Sequence, residues 1–537
     1  MPTLTRTALA VLALTAVSCG DSGTTPLASV PVTPPPLVDA LTPTPPPPVA
    51  KACARNTTPE ASGLPSEARI YGWIEDLVKL GYRRTGTPAG YAASAYVKCQ
   101  LESLGLEDVQ YETVTSWSWE ATKSSVKVNG ETIDAFPSAF SFVTPDKPSL
   151  FTTGPDGLSA EIVDINLGTP LDQQMKGVRG KVILFDLKFI LPTAGLAPLL
   201  EFLWDPDATV ADPSIAIANP YITTYREVLD AAMDAGAVGF VGVLTDYFDS
   251  NLYYNEFYRR SSVTIPGYWV SPKEGLRLRA LMRAKGGPST ANLVMEGSRK
   301  AVEARSVVGI LPGKSKETIM VQSHHDAVFD GAVEDGSGTA AVLAQAQYYA
   351  SQPAESRERT MMFVTFDTHF TGYQAHMAFA DKYIVKKATP YTLVANVTLE
   401  HIGKQAVTGS NGELLITKLP ELRGIMNNFG PEMKATLVNA VVEHDLRRTG
   451  VLAVNSLCST AGIPTDASFM CLNGLPTASF IAGPLYLYDA ADTLDKVDRE
   501  QLVPVTKAFI DIIDQIDDTP ADRIGAPLPS LGPTLRL

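Results

Sequence analysis

The sequence is short of positive charge. Its 44 lysine and arginine residues face 58 aspartate and glutamate residues, which gives a formal net charge of -14 and an isoelectric point near 5.0. Nucleic acid and anionic membranes repel such a chain, so neither is expected as a partner. At 537 residues with 45% hydrophobic residues, the chain exceeds one ordinary domain and can bury a sizeable core.

Cysteine is scarce as well, with five residues in the whole chain. Their spacing does not suggest a metal cluster. One of them, Cys19, lies near the amino terminus, and an even number remains, which permits disulfides in an exported chain. The simplest disulfide pairing joins Cys458 to Cys471 and Cys53 to Cys99.

The amino terminus lacks an apolar run long enough to span a bilayer. Arg6 precedes the apolar stretch from Ala8 to Val17, which predicts a signal peptide over residues 1–18. Small residues before Cys19 resemble a bacterial lipoprotein cleavage box, although Ala16 stands where leucine is usual. We therefore expect acylation of Cys19 and a lipid anchor in the bacterial cell envelope; the alternative is an ordinary secretory signal and a secreted or periplasmic protein.

Residues 19–60 are rich in proline, threonine, serine and alanine and cannot form a core. They predict a semi-extended, lipoprotein-type tether. Beyond it, the chain predicts a strand from Val109 to Val114, buried strands such as Met361–Phe366, and a closing helix from Gln501 to Ile516. Residues 521–537 are a predicted tail.

A candidate site follows the apolar strand that starts at Thr318. His324 and Asp326 stand at its carboxyl end, and Asp335 lies on a Gly-rich turn before an Ala-rich helix from Ser337 to about Tyr349. Open α/β sheets carry their ligand-binding and active sites at the carboxyl ends of the strands. Imidazole and carboxylate are zinc ligands, which predicts a metal site with Asp326 orienting the His324 imidazole. A lone histidine would instead be an ordinary polar residue at a strand end.

The two segments around His324 and Asp335 resemble motifs of the family-28 metallopeptidases, the group of dizinc aminopeptidases and glutamate carboxypeptidases. Ser323-His324-His325-Asp326-Ala327-Val328 is similar to Gly-x-His-x-Asp-Ser-Val, and Glu334-Asp335-Gly336-Ser337-Gly338 to Asp-Asn-Gly-Ser-Gly. The resemblance implies the phosphorylase/hydrolase-like zinc exopeptidase fold, an α/β fold with a mostly parallel central sheet flanked by helices. It also implies His324 as a ligand of the first metal and Asp335 as the carboxylate that bridges two metals.

The same resemblance suggests the domain organisation. Residues 61–116 and 296–520 are predicted to form the catalytic domain, and residues 117–295, with short strands and turns, look like an inserted, β-rich protease-associated domain. In the family this insertion caps or shapes the substrate cleft. An appended module without substrate contact is the alternative.

The position of the family's general base holds a histidine. The family's Asp-x-Glu-Glu-x-Gly corresponds to Asp367-Thr368-His369-Phe370-Thr371-Gly372, so that the base is replaced by His369 and a ligand of the second metal by Phe370. Imidazole has a pKa near 6.5 and can act as a general base, whereas a phenyl ring cannot bind zinc. We therefore predict His369 as the catalytic base, with Asp326 supporting the site.

Glu400 corresponds to the aspartate of the family's Asn-x-Asp-Met-Ile-Gly, which binds the first metal. Its carboxylate is compatible with zinc although it reaches one methylene further. His401, the next residue, could support a ligand, but we interpret it as a polar residue on the opposite side of the strand end.

Two further family positions have changed. Tyr488 stands where the family has its final histidine ligand, and Asp466 replaces the histidine of the Asp-His-Ala-Ser-Phe loop. The first metal thus keeps His324, Asp335 and Glu400, and the second keeps only the shared Asp335. Three ligands and an open position suit a single catalytic zinc, so we expect one ion rather than two.

These observations favour a one-zinc hydrolase of peptide or amide bonds, of aminopeptidase or carboxypeptidase type, that acts on peptides or small amino-acyl substrates. An inactive peptidase homologue that binds peptides in the cell envelope is the alternative, because fold alone does not confer function. Cyclising acyl transfer at one zinc is a third possibility. The sequence does not indicate an oligomeric state.

Overall fold

The computed structural model describes residue 60 and residues 63–145, 147–189, 197–210, 222–254 and 262–526. The predicted signal peptide with Cys19, nearly all of the tether and residues 527–537 of the predicted tail lie outside the described residues. All described residues belong to one compact unit. No helix in this part of the chain combines the length and the apolar character that a membrane crossing requires.

The described residues form helices and strands with the following bounds. The helices are α1 (Glu67–Lys79), α2 (Pro88–Ser103), α3 (Pro170–Lys176), α4 (Tyr225–Asp234), α5 (Pro272–Ala284), α6 (Gly338–Ala350), α7 (Gln374–Ala380), α8 (Pro431–Glu443), α9 (Asn455–Cys458), α10 (Ser468–Leu472), α11 (Arg499–Asp518) and α12 (Ala521–Ile524). The strands are β1 (Glu107–Val128), β2 (Glu131–Ile133), β3 (Phe136–Pro137), β4 (Ser149–Thr152), β5 (Leu158–Asp164), β6 (Val182–Leu187), β7 (Leu200–Trp204), β8 (Gly239–Leu244), β9 (Gly267–Val270), β10 (Ser289–Leu311), β11 (Ser315–His324), β12 (Arg359–Phe366), β13 (Thr392–Leu399), β14 (Lys404–Thr408), β15 (Leu414–Pro420), β16 (Arg423–Asn427), β17 (Thr449–Ala453) and β18 (Thr477–Ala482).

The main sheet contains two parallel blocks joined through β10. One block has the order β12-β11-β13-β18, and the other has the order β5-β6-β8-β9. Strand β10 pairs antiparallel with β12 on one side and with β5 on the other. This arrangement confirms the predicted α/β fold with a central sheet and flanking helices.

A long two-stranded ribbon connects the blocks. Strands β1 and β10 pair antiparallel from Glu107 opposite Ile310 to Val128 opposite Ala291. The predicted domain boundaries, at 116/117 and 295/296, fall inside these two strands. The division into a catalytic domain and an inserted domain therefore stays a prediction, within a sheet that runs through both segments.

The parallel block around β11 is buried on both faces. Ile319 and Val321 belong to the apolar cluster that includes residues of α1, α6 and α11, whereas Met320 belongs to a second cluster with Phe379 of α7. Successive strand residues point to opposite faces, so both kinds of position must be apolar here. This explains the near-continuous hydrophobic runs of β11 and β12.

Arg83 ties the segment before α2 to the loop that follows β11. Its guanidinium is fully buried and donates hydrogen bonds to the carbonyls of His325 (3.1 Å), Asp330 (2.7 Å) and Gly331 (2.8 Å). Burial lowers the pKa of Arg83 to about 10, which still leaves it charged near neutral pH. A charged donor bonded to three carbonyls holds this loop in one conformation.

One of the two predicted disulfides lies within the described residues. Cys458 at the end of α9 is bonded to Cys471 in α10, with their Cα atoms 5.0 Å apart. The prediction for this pair is confirmed. Cys53 lies outside the described residues, so its pairing with Cys99 stays a prediction.

Glu421, between β15 and β16, makes the stability depend on pH. One carboxylate oxygen accepts a hydrogen bond from the Leu422 amide (2.8 Å), and the other has no partner among the described residues. Burial raises the pKa of Glu421 to about 7, although Arg448 and Arg423 oppose the shift. The folded state thus binds the proton more tightly than the unfolded state, and stability falls as pH rises from about 4.5 to about 7.

We expect the Glu421→Gln variant to lack this loss, because an amide does not ionise. Relative to the wild type, it should gain on the order of 3 kcal/mol in the free energy of unfolding between pH 5 and pH 8. Denaturant titrations of both proteins at the two pH values measure the gain. Parallel pH dependences for the two proteins would contradict the assignment.

Candidate metal and active site

The candidate site lies where the parallel strands of one block end. His324 is the last residue of β11 and pairs with Phe366, the last residue of β12. His369 follows three residues after β12 ends, and His401 two residues after β13 ends at Leu399. Because these strands are parallel, their carboxyl ends share one edge of the sheet and bring the imidazoles together.

Glu334 occupies the centre of this group. Its Oε1 lies 3.3 Å from His324 Nε2 and 3.4 Å from His369 Nε2, and its Oε2 contacts His401 Nε2. The rings of His324 and His369 stack with their centroids 4.0 Å apart. We call His324, Glu334, His369, His401 and Asp466 the histidine–carboxylate cluster.

Asp466 closes the cluster on the side of α7. Its Oδ1 lies 2.7 Å from His369 Nδ1, and its Oδ2 lies 3.1 Å from His376 Nε2. The amide of Asp466 donates to Glu400 Oε1 at 3.2 Å. All of these side chains are buried. The carboxylate of Asp466 therefore holds His369 from behind, on the side opposite Glu334.

The pKa values in the cluster are set more by the contacts between imidazoles and carboxylates than by burial. Burial by itself would lower the pKa of His401, but the neighbouring Glu334 carboxylate raises it to about 10. Burial also opposes a charged His324, yet Asp466, Asp326 and Glu334 hold its pKa well above the usual value. For Glu334, burial would raise the pKa, whereas His401 and His324 lower it. Without a metal the cluster thus favours an ionised carboxylate between protonated imidazoles, and a cation that binds to these imidazoles must displace their protons.

Backbone contacts fix the two residues that face each other across the cluster. Asp492 accepts hydrogen bonds from the amides of Val333 (2.9 Å) and Glu334 (2.8 Å). His401 has a left-handed backbone (φ 58°), and its Nδ1 lies 2.6 Å from the Ala482 carbonyl. A non-glycine residue in this region costs on the order of 1 kcal/mol, and such conformations concentrate at functional sites.

The predicted residues Asp326 and His369 lie beside His324. Asp326 Oδ1 is 3.2 Å from His324 Nδ1, which leaves His324 Nε2 directed toward Glu334. The other oxygen of Asp326 accepts a hydrogen bond from the Phe370 amide at 3.3 Å. His369 is a full member of the cluster. The roles predicted for these residues are therefore compatible with their positions.

Asp335 and Glu400, the other predicted ligands, are engaged by the surrounding chain. Asp335 Oδ1 accepts from the amides of Gly338 (3.0 Å) and His401 (3.3 Å), and its Oδ2 accepts from the Ser323 hydroxyl. Its nearest oxygen lies 3.9 Å from His324 Nε2. Their predicted ligand role stays a prediction, since the geometry brings neither into the groups described next.

Two buried groups have the donor types and spacing of a metal site. One is His324, Glu334 and His401, and the other is His324, His369 and Asp466; within each, the ligand atoms lie within 4.8 Å of one another. Within the described part of the chain, His324 Nε2, His401 Nε2 and both oxygens of Glu334 contact one another but have no hydrogen-bond partner outside the cluster. Buried polar atoms are normally satisfied, so ligand atoms left open toward one point fit a bound cation.

Part of the chain is similar to a known peptidase family. The family model for peptidase family M28 matches residues 306–513. Residues 306–513 form a peptidase family M28 domain. No curated protein matches the chain.

Several solved structures are similar in fold over nearly their whole length. A peptidase M28 precursor from Shewanella amazonensis is 20% identical, with a TM-score of 0.62, over 86% of this chain and 95% of that chain. A zinc aminopeptidase from Bacillus subtilis is 17% identical, with a TM-score of 0.58, over 87% of this chain and 100% of its own. An aminopeptidase from Aneurinibacillus sp. strain AM-1 is 18% identical, with a TM-score of 0.57, over 87% and 96%.

Sequence reasoning missed Glu334 and His401 as members of the cluster. Aligned residue by residue, the M28 motif Asp-Asn-Gly-Ser-Gly places its aspartate at Glu334 and its asparagine at Asp335. That alignment was the available signal for Glu334. His401, interpreted as facing away, instead points toward Glu334, because its left-handed backbone turns the chain after β13.

The other M28 positions that lost their ligands are packed as aromatic residues. The rings of Phe370 and Tyr488 meet edge to face with centroids 5.6 Å apart, and both side chains are buried. Phe370 also lies 4.7 Å from the ring of His369. The M28 domain of this chain therefore has an apolar wall where the motif would have two metal ligands.

We expect about one zinc ion per chain in protein equilibrated with micromolar zinc. The ion should be lost in Glu334→Gln and in His401→Gln, because each removes an open ligand atom. It should be retained in Asp335→Asn and Glu400→Gln. Elemental analysis after removal of free zinc measures the content.

The matched comparison is His444→Gln, which alters a third, more exposed group with ligand spacing, Glu443, His444 and Asp511. This variant should keep the ion, and loss of zinc from it would place the ion outside the cluster. Circular dichroism of each variant shows whether the fold is intact. If folded Asp335→Asn and Glu400→Gln lose zinc while Glu334→Gln keeps it, the result would instead support the ligand set predicted from sequence.

Proposed function

We propose that this protein is a zinc-dependent hydrolase of peptide or amide bonds, with one ion held by His324, Glu334 and His401. The observation that carries the proposal is the set of buried ligand atoms on these three residues, which converge on one another and have no hydrogen-bond partner outside the cluster among the described residues. Two imidazoles and one carboxylate are a ligand set of catalytic zinc sites in hydrolases, which keep a fourth position open. The M28 family assignment gives independent support.

A single ion is supported by the sharing of His324 between the two candidate groups. The Nδ1 atom of His324 faces Asp326 (3.2 Å), so only Nε2 is directed to the cluster. An imidazole nitrogen has one lone pair and binds one metal at a time. Occupation of one group therefore excludes occupation of the other through the same nitrogen.

His369 is the proton acceptor in this proposal. Its Nδ1 lies 2.7 Å from Asp466 Oδ1, which favours the tautomer that donates from Nδ1 and carries its lone pair on Nε2. That nitrogen faces Glu334 Oε1 at 3.4 Å and so lies beside the ligand group. Zinc, when bound, would supply Lewis acidity for the carbonyl of the scissile bond. His369 would accept a proton from the attacking water at Nε2. Asp466 would stabilise the positive charge that His369 then carries.

Peptides or amino-acyl amides are the proposed substrates, following the family. The inactive peptide-binding homologue remains the second candidate, because Phe370 and Tyr488 replace two ligands by packed rings. The two proposals differ in their consequences. A hydrolase needs both zinc and His369, whereas a binding protein retains its ligands when His369 is replaced.

The test compares the wild type with His369→Gln on a panel of amino-acyl and dipeptide amides. We expect kcat to fall by ~10² to 10⁴ in the variant, the usual effect of losing a general base. Zinc content should stay the same, which separates loss of the base from loss of the ion. His444→Gln serves as the control and should keep wild-type rates.

Equal rates in the wild type and His369→Gln would remove His369 from the mechanism. Absence of turnover in the zinc-loaded wild type, together with measurable peptide binding, would favour the non-catalytic candidate.

We also propose that the protein is exported and anchored through a lipid on Cys19, with a secreted or periplasmic protein as the alternative. The support is the sequence alone: an apolar stretch of signal-peptide length and small residues before Cys19. Expressed in a bacterium, the wild type should fractionate with membranes and the Cys19→Ala variant should be soluble. A soluble wild type with an unmodified amino terminus would contradict the anchor.

A further inference from the structure

A cavity of about 450 Å³ adjoins the histidine–carboxylate cluster. It lies between the β1/β10 ribbon, the turn before α2 and Phe370. Phe370 forms a wall of the cavity and also contacts the ring of His369, at a centroid distance of 4.7 Å. A group bound in the cavity would therefore lie one side chain, that of Phe370, away from His369.

Several aromatic side chains line the cavity. Tyr254 meets Phe370 edge to face at 5.9 Å, and Trp117 and Trp119 contribute from β1. On the opposite wall, Gly86 has a positive φ of 75° and lies so close to Val302 that a Cβ atom would approach it to 2.5 Å. Close packing of this kind keeps a cavity pre-formed.

Two cations face this cavity without a carboxylate partner. Arg84 donates from Nε to the Val328 carbonyl (3.0 Å) and stacks over the ring of Tyr254, 5.4 Å from its centroid. Lys300 is exposed on β10. Within the described part of the chain, neither cation forms an ion pair with a carboxylate. This is unusual in a protein with a net charge of -14.

The acidic groups nearby do not neutralise the cavity. Glu120 lies exposed at its rim. Asp367 is buried behind Thr85, whose hydroxyl donates to it at 2.5 Å, and burial raises the pKa of Asp367 to about 7. Asp326, also behind Thr85, is engaged by His324. The two cations are therefore available to a ligand.

We propose that this cavity binds a carboxylate on the substrate residue next to the scissile bond, with Arg84 and Lys300 as the residues that select it. The proposal rests on the proposed hydrolase function. The guanidinium of Arg84 and the ammonium of Lys300 attract the anion, and the attraction is less screened by water at the half-buried Arg84 than at the exposed Lys300. The carboxylate is either the free carboxyl terminus of a short peptide or an acidic side chain.

Equilibrium binding of product-like ligands to the zinc-loaded protein tests this without turnover. The probes are phenylalanine against phenylalaninamide, and glutamic acid 1-amide against glutaminamide. We expect ~10- to 100-fold tighter binding of the carboxylate member in at least one pair, the usual effect of a hydrogen bond to a charged group. The pair that shows the difference identifies the source of the carboxylate.

The preference should fall to within ~3-fold in Arg84→Gln and in Lys300→Gln. Lys123→Gln removes the same charge from an exposed position on β1 and should keep the preference. Lys300 is exposed, so its variant remains informative even if Arg84→Gln perturbs the turn before α2.

Equal affinities within both ligand pairs in the wild type would overturn the proposal, as would a preference that survives in Lys300→Gln and Arg84→Gln. Neither result depends on catalysis, so the proposed hydrolase function stands or falls on the His369→Gln kinetics alone.

Discussion

The contact between the Glu334 carboxylate and the imidazoles of His324, His369 and His401 is the interaction on which the site depends. A charge buried this deeply is tolerated only when it is paired. The partners come from the ends of different strands, so their meeting requires the register of the parallel block. Asp492 and Asp335 bond to the backbone around Glu334 and His401 and hold the facing loops in place. Such supporting contacts orient metal ligands.

The aromatic replacements connect the cluster to its surroundings. Phe370 and Tyr488 stand at positions where the motif that this chain resembles has ligands, and their rings pack edge to face. Phe370 also lines the cavity together with Arg84 and Lys300. The same side chain therefore contacts His369 and bounds the cavity.

The buried elements were predictable because burial leaves a local signal. The helix predicted from Ser337 to Tyr349 is α6 (Gly338–Ala350), and the closing helix predicted from Gln501 to Ile516 lies within α11 (Arg499–Asp518). The strand predicted from Val109 to Val114 is only the first part of β1. Most side chains of β1 are exposed or half-buried, so its length is set by pairing with β10, about 180 residues away.

The sequence alone determined the parallel α/β fold and the strand end that carries His324, because apolar strand runs and the residue types that follow them are local properties. Only the tertiary structure decided which of two adjacent residues faces the site: Glu334 or Asp335, and Glu400 or His401. Two neighbouring side chains point in different directions. These directions are set by the contacts of Glu334 with Asp492, of Asp335 with Ser323 and of Glu400 with Asp466. These partners are brought together by the fold. The local motif carried a signal for Glu334 through its alignment, but the residues around His401 carried none.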